Sequence, residues 1–264
     1  MALLSSSVRW IILEAVYNMG RFPLVDCFHA CAVAHEYRKG ASAKQGSLQR
    51  LFAIVITSLG GTTMMNLLNG QPMGWSCDNQ TLPAYVVAWL LLHHAPGDVV
   101  FRAIESSDST RFLVGFLDDI SWGVAITKWG MFNVIHAAHP NPRGSAVAAI
   151  LGGWIAGCGG GIIQQACSLL DAEWSLTTPD ALTGPILSLK SGFGVKASAF
   201  MSALAYGLLD PHGILRSLGG QAVDLDADGV AVTMWCSKPQ VVFTAVVVMV
   251  SGATVRSTVK KLLA

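Results

Sequence analysis

The chain has 264 residues, of which 52% are hydrophobic and 12% charged, and its formal net charge is +1. Soluble domains carry about 25% charged residues, so this chain has too few to cover its surface with water-facing groups, and lipid must face much of it. The near-neutral balance supplies no basic field for nucleic acid and no acidic one for basic partners.

A transmembrane helix needs about 20 mostly apolar residues, and seven stretches approach that in chain order. The first, over 8–35, is interrupted by Arg21-Phe22-Pro23 and carries Asp26 just beyond. Proline removes a backbone donor and opens a helix, so Asp26 either caps the restarted helix or faces a water-filled path. The second, over 48–68, has Gly60 and Gly61 in mid-span. The third, over 83–104, contains Ala95-Pro96-Gly97-Asp98, where Asp98 poses the same choice as Asp26. The fourth, over 112–138, carries Asp118, Asp119, Lys128 and Gly130. Adjacent like charges repel in lipid, so at least one of the two aspartates reaches water.

The fifth stretch, over 145–170, contains Gly157, Gly159, Gly160 and Gly161. Its GxxxG spacings suit close helix packing. Three consecutive glycines forfeit about 1 kcal/mol each relative to alanine, so a bend or an unwound carbonyl ladder is expected here. Exposed carbonyls suit cation passage. The sixth, over 191–209, has Lys196 near its start, either reaching the interface or lining a path. The seventh, over 239–259, is the clearest, since Val241–Val250 contains no charge and one hydroxyl. Between the last two lies 210–238, the longest and most acidic loop, which either folds as a short cap or stays mobile.

The expected architecture is an all-α membrane protein, a single domain of seven transmembrane helices. Residues 8–104 and 112–209 form two three-helix repeats, followed by a C-terminal seventh helix. Three is odd, so tandem triplets face opposite ways, and interrupted helices at matching positions mark a binding or permeation site. With the N-terminus outside, ten loop or tail lysines and arginines fall on the cytosolic side and four on the other. The positive-inside rule therefore favours a luminal N-terminus and a cytosolic C-terminus. The Asn79-Gln80-Thr81 sequon agrees, because it falls in a luminal loop.

Intramembrane charges mark functional sites by default. Lys128 is read either as a pore-lining or anionic-lipid-binding cation, or as a structural charge paired with Asp26, Asp98 or Asp119. The six cysteines form no CxxC pair and no zinc spacing, and Cys77 and Cys236 in polar loops leave a disulfide open. No Ser-His-Asp or Cys-His arrangement stands out, and no enzyme is expected.

The ordered set of motifs resembles the trimeric intracellular cation channel (TRIC) family over residues 20–210. Phe22-Pro23-Leu24-Val25-Asp26 matches its F-P-x-x-D, and Arg38-Lys39-Gly40-Ala41 resembles the basic loop that follows. Asn66-Leu67-Leu68-Asn69-Gly70-Gln71-Pro72 is similar to its DLLLGEP segment. Ala95-Pro96-Gly97-Asp98 resembles its C-P-x-D, and Gly153-Trp154-Ile155-Ala156-Gly157 its G-W-x-x-G. The resemblance implies a homotrimer in endoplasmic or sarcoplasmic reticulum, a potassium-permeable pore in each subunit and counter-ion flow during calcium release. It implies no cofactor other than bound phosphatidylinositol 4,5-bisphosphate. Of the family's K-E-V-x-R motif in helix four, the arginine falls on Lys128, but the lysine and glutamate fall on Val124 and Ala125. The 210–238 loop is longer than the connection expected of vertebrate members.

The competing function is a secondary transporter of a small solute such as a sugar, built from two three-helix repeats. Sugar transporters of that kind have parallel repeats with the extra helix in the middle, whereas here it is last. A seven-helix receptor or rhodopsin is disfavoured, because the seventh helix lacks a central lysine and an Asn-Pro turn.

Overall fold

The computed structural model describes residues 24–42, 44–184 and 192–262. Among them the regular structure is helical, with one isolated antiparallel bridge between Leu225 and Ala231. The expected break at Arg21–Pro23 and the N-terminal part of the first span lie outside the described residues.

Helix α1 (Leu24–Gly40) carries Asp26 in its first turn and Arg38 and Lys39 in its last, the arrangement a helix dipole favours. Helix α2 (Ser47–Leu68) is followed by Gly70 at φ 63°, a left-handed stop that glycine adopts without steric cost. Helix α3 (Thr81–His94) is followed by α4 (Val99–Glu105) after a bend of 87°. The span expected over 83–104 is therefore not one straight helix. Gly97 and Asp98 sit at φ 64° and 57°, and Pro96 denies the chain a donor where α3 would continue.

Helix α5 (Asp108–Val124) is capped by Ser107, whose hydroxyl accepts from the Thr110 amide. It runs on into a π-helical stretch, Ala125–Phe132. Helix α6 (Ala146–Ala166) is capped in the same way by Ser145. Helices α7 (Phe193–Leu209), α8 (Ile214–Leu218) and α9 (Lys238–Leu262) complete the labelled set. By length and apolarity α2 and α6 can each cross a membrane, and the bent α3–α4 pair makes a third crossing if taken as one span. Helices α7 and α9 contribute shorter apolar stretches.

The glycine cluster does not unwind. Helix α6 is continuous through Gly157–Gly161, and its glycines let α2 and α6 approach backbone to backbone. A Cβ on Gly160 would overlap the Thr57 carbonyl, one on Gly159 would lie 2.7 Å from Gly61 Cα, and one on Gly61 would lie 2.7 Å from the Ala156 oxygen. Tertiary packing outweighs the helix propensity that glycine forfeits. On the other side of α6, Gly130 of the π stretch rests on Gly152 and Gly153, where its Cβ would lie 2.6 Å from Gly153 Cα.

Two buried apolar clusters, the larger two of three among the described residues, organise the helices. One holds α1, α2 and α3 together around Tyr37, Ile54, Tyr85 and Leu92. The other gathers α5, α6, α7 and α9 around Met131, Ile135, Leu209 and Val242.

The 210–238 segment is a folded cap. Asp210, fully buried and left-handed at φ 44°, accepts from the Leu215 and Arg216 amides. The Arg216 guanidinium lies 5.9 Å from the Trp235 ring centroid, within cation–π range. His212 bridges the Tyr206 hydroxyl and the Arg143 carbonyl, and Arg143 also pairs with Asp228. Cys77 is exposed and Cys236 half-buried, both as free thiols.

Candidate functional site

Between the two apolar clusters lies a cavity of about 540 Å³. Its walls come from α1, α2, α3, α5 with the π stretch, and α6, together with the 74–78 loop. One end is polar through Asn66 and Asn133, whose side chains bond at 2.8 Å from Asn133 Nδ2 to Asn66 Oδ1. That bond ties α2 to the segment just after the π stretch. Beyond Thr57 the Tyr37 hydroxyl meets Thr57 Oγ1 at 2.6 Å.

Most of the sequence-derived site residues gather here. Asp26, Lys128, Gly61, Gly157, Gly160 and Gly161 all line the cavity, whereas Gly60 and Gly159 belong to the α2–α6 seam. Gly61, Gly157 and Gly160 serve the seams as well as the wall, since each faces a neighbouring backbone or side chain within 3 Å of a built Cβ. Gly161 alone of this group faces open space.

The charges expected as partners of Lys128 divide. Asp98 sits at the opposite end of α1, where Arg38 Nη2 donates to its Oδ1 at 2.7 Å. Helix capping does not describe it, because its side chain makes no cap bond. Asp119 is half-buried on α5 and lies off the cavity wall. Lys196 is half-buried in the first turn of α7, also off the wall.

Asp118, the one of the two adjacent aspartates that reaches the cavity, completes the site with His29 and Asp78, which the sequence did not single out. Asp118 turns toward the cavity and its Oδ1 bonds His29 Nδ1 at 2.6 Å, joining α5 to α1. His29 lies three residues after Asp26, on the same face of α1, a spacing that could have found it. Asp78 accepts from the Gln80 and Thr81 amides at 2.7 Å each and from the Thr81 hydroxyl at 2.8 Å, fixing the entry to α3. Burial is the largest single influence and pushes the Asp78 carboxyl up, but the three bonds together outweigh it and hold the group below its ordinary range.

The π stretch widens the helix around Lys128. Such segments are rare and recur at functional sites. Trp122 anchors its start, donating from Nε1 to the Gly157 carbonyl at 2.7 Å and to Ser198 Oγ at 3.0 Å. The resulting cavity carries three carboxylates, one imidazole and one ammonium group on a wall otherwise rich in hydroxyl, amide and glycine. A polar cavity in an apolar bundle holds water and can pass or bind a small cation.

No protein-family model matches the sequence, and no curated protein matches it in a sequence search. Solved structures do match the fold. A structure described as the basis for activity of TRIC counter-ion channels in calcium release superposes with a TM-score of 0.66 at 17% identity, covering 94% of this chain and 99% of that one. A trimeric intracellular cation channel from C. elegans with bound Ca2+ gives 0.61 at 18% identity, covering 93% and 97%. The same C. elegans channel without Ca2+ gives 0.59 at 17%, covering 92% and 94%. These neighbours are channels rather than enzymes, and the chain has the fold of the TRIC channels.

Proposed function

We infer that this chain is a cation channel of an intracellular membrane, of the TRIC kind, and that ions pass through the cavity between the two helix clusters. The observation that carries this reading is the coincidence of two facts. The chain has a channel fold along nearly its whole length, and the polar cavity holds Asp26, Asp78 and Asp118 against a single Lys128. An excess of carboxylates in a low-dielectric wall concentrates cations.

The finer terms follow from the same reading. Potassium is the permeant ion, three copies assemble, and the membrane is that of endoplasmic or sarcoplasmic reticulum, where the current balances calcium release. The N-terminus is luminal and the C-terminus cytosolic, and seven spans form two inverted triplets plus a last helix. The glycine-to-glycine crossing of α2 and α6, the middle helices of the two triplets, supports the repeat. An anionic phosphoinositide headgroup would bind at Lys128, the cation that the resemblance retains.

Purified protein in a planar bilayer under potassium gradients tests the function. Discrete unitary potassium currents are expected. Saturable solute exchange without unitary steps would replace the channel with a transporter.

A further inference from the structure

We propose that Asp118, oriented by His29, is the carboxylate a permeating cation meets in the cavity, and that it sets the preference for cations over anions. The proposal deepens the conduction reading and rests on it.

The His29–Asp118 pair is built for this. Nδ1 and Oδ1 are 2.6 Å apart, and the two side chains keep 30% and 36% of their surface exposed. Both therefore reach the cavity's water while the bond fixes the carboxylate's direction. The bond engages one oxygen of the carboxylate and leaves acceptor capacity to spare on the other. Tyr85 steadies the imidazole from α3, its ring edge-on at 6.3 Å between centroids and 87° between planes.

The neighbouring charges fall at graded distances. Asp26 is one helical turn away on α1, so it reinforces the negative field. Lys128 lies ten residues further along the same helix, within the π stretch, and lines the same cavity. The facing walls of α2 and α6 present Thr57, Ser58, Gly160 and Gly161, which carry no charge. Asp119, the next residue on α5, lies off the cavity wall and supplies an internal control of the same charge.

Reversal potentials in planar bilayers under a tenfold potassium chloride gradient give the potassium-to-chloride permeability ratio. Asp118→Asn lowers that ratio threefold or more (an order-of-magnitude expectation for one lost charge within a few ångströms of the ion, roughly). Asp118→Glu and Asp119→Asn keep it near wild type. His29→Leu removes the donor and leaves the carboxylate, and it lowers the ratio less than Asp118→Asn does. His29→Gln restores a donor and the wild-type ratio. The two His29 variants keep the idea testable if Asp118→Asn does not insert. A wild-type ratio in Asp118→Asn, or in His29→Leu when that is the variant available, overturns the proposal. An equal fall in Asp119→Asn does so too, since it would assign the effect to net charge alone. Absence of unitary current in the unmodified protein is a different failure, because it removes the conduction reading itself.

Discussion

Replacing Gly160 with alanine separates close packing from helix unwinding at the glycine cluster. A Cβ there would overlap the Thr57 carbonyl oxygen and lie 2.9 Å from its carbon, where ordinary contact begins at 3.4 Å. The obstruction is backbone, so no side-chain rotation relieves it and α2 and α6 must separate by more than an ångström. Overpacking of this kind costs about 1–3 kcal/mol, with the upper end apt for a backbone clash. Alanine recovers about 1 kcal/mol of helix propensity, so the net loss is about 2 kcal/mol. Gly161→Ala is the matched comparison. Its Cβ would meet nothing within 4 Å, so only the propensity gain of about 1 kcal/mol remains. The two variants should differ by about 3 kcal/mol in opposite directions. Thermal unfolding in detergent, followed by intrinsic tryptophan emission, reads the order directly. Equal melting temperatures for the two variants, or a Gly160→Ala protein as stable as Gly161→Ala, would refute the seam.

Other expectations follow from single side chains. Lys128→Ala removes the ammonium from the cavity wall and should change unitary conductance or the response to anionic lipid. Its elution as an oligomer should match wild type, and unchanged current and lipid response would take Lys128 out of the path. Asp78 fixes the start of α3 with a carboxylate held below its ordinary value of 3.8, so its contribution is complete above that pH and is lost as pH falls through the lower folded value. The stability gap between wild type and Asp78→Ala, about 1 kcal/mol for a lost cap, should be full near pH 6 and shrink below pH 4 in thermal melts. A gap that widens in acid contradicts that sign. Asp210→Ala leaves the buried Arg216 amide and the part-buried Leu215 amide without their acceptor and should cost about 2–3 kcal/mol. Asp210→Asn, which tolerates the left-handed backbone and keeps one acceptor, should cost less, with limited proteolysis of the 210–238 cap as the readout.

Much of the helical layout was legible because lipid imposes length and apolarity on each segment. Helices α2, α6, α7 and α9 fall within a few residues of their expected limits. Lys128 and Asp26 stood out because a charge in an apolar run is costly, and both line the cavity. What failed were inferences about partners. The glycines were read from local propensity, but their role is set by Thr57 and Gly61, about a hundred residues earlier in the chain. The His29–Asp118 bond spans 89 residues, and helical periodicity gives a residue's face without its partner. The Pro96-Gly97 break was visible as composition, yet an apolar run on both sides concealed how far the chain turns. The acidic cap at 210–238 offered no periodicity, and its order comes from Asp210, His212 and Arg216 meeting distant groups.

Thr62 lines the cavity on α2, away from the glycine seam. Thr62→Cys exposed to a positively charged methanethiosulfonate reagent during single-channel recording tests the route of the ion. Rapid, irreversible loss of unitary current in Thr62→Cys, with wild type unaffected under the same exposure, is the result expected of a conducting cavity. Current that persists after mass spectrometry shows the thiol fully modified would contradict passage through it.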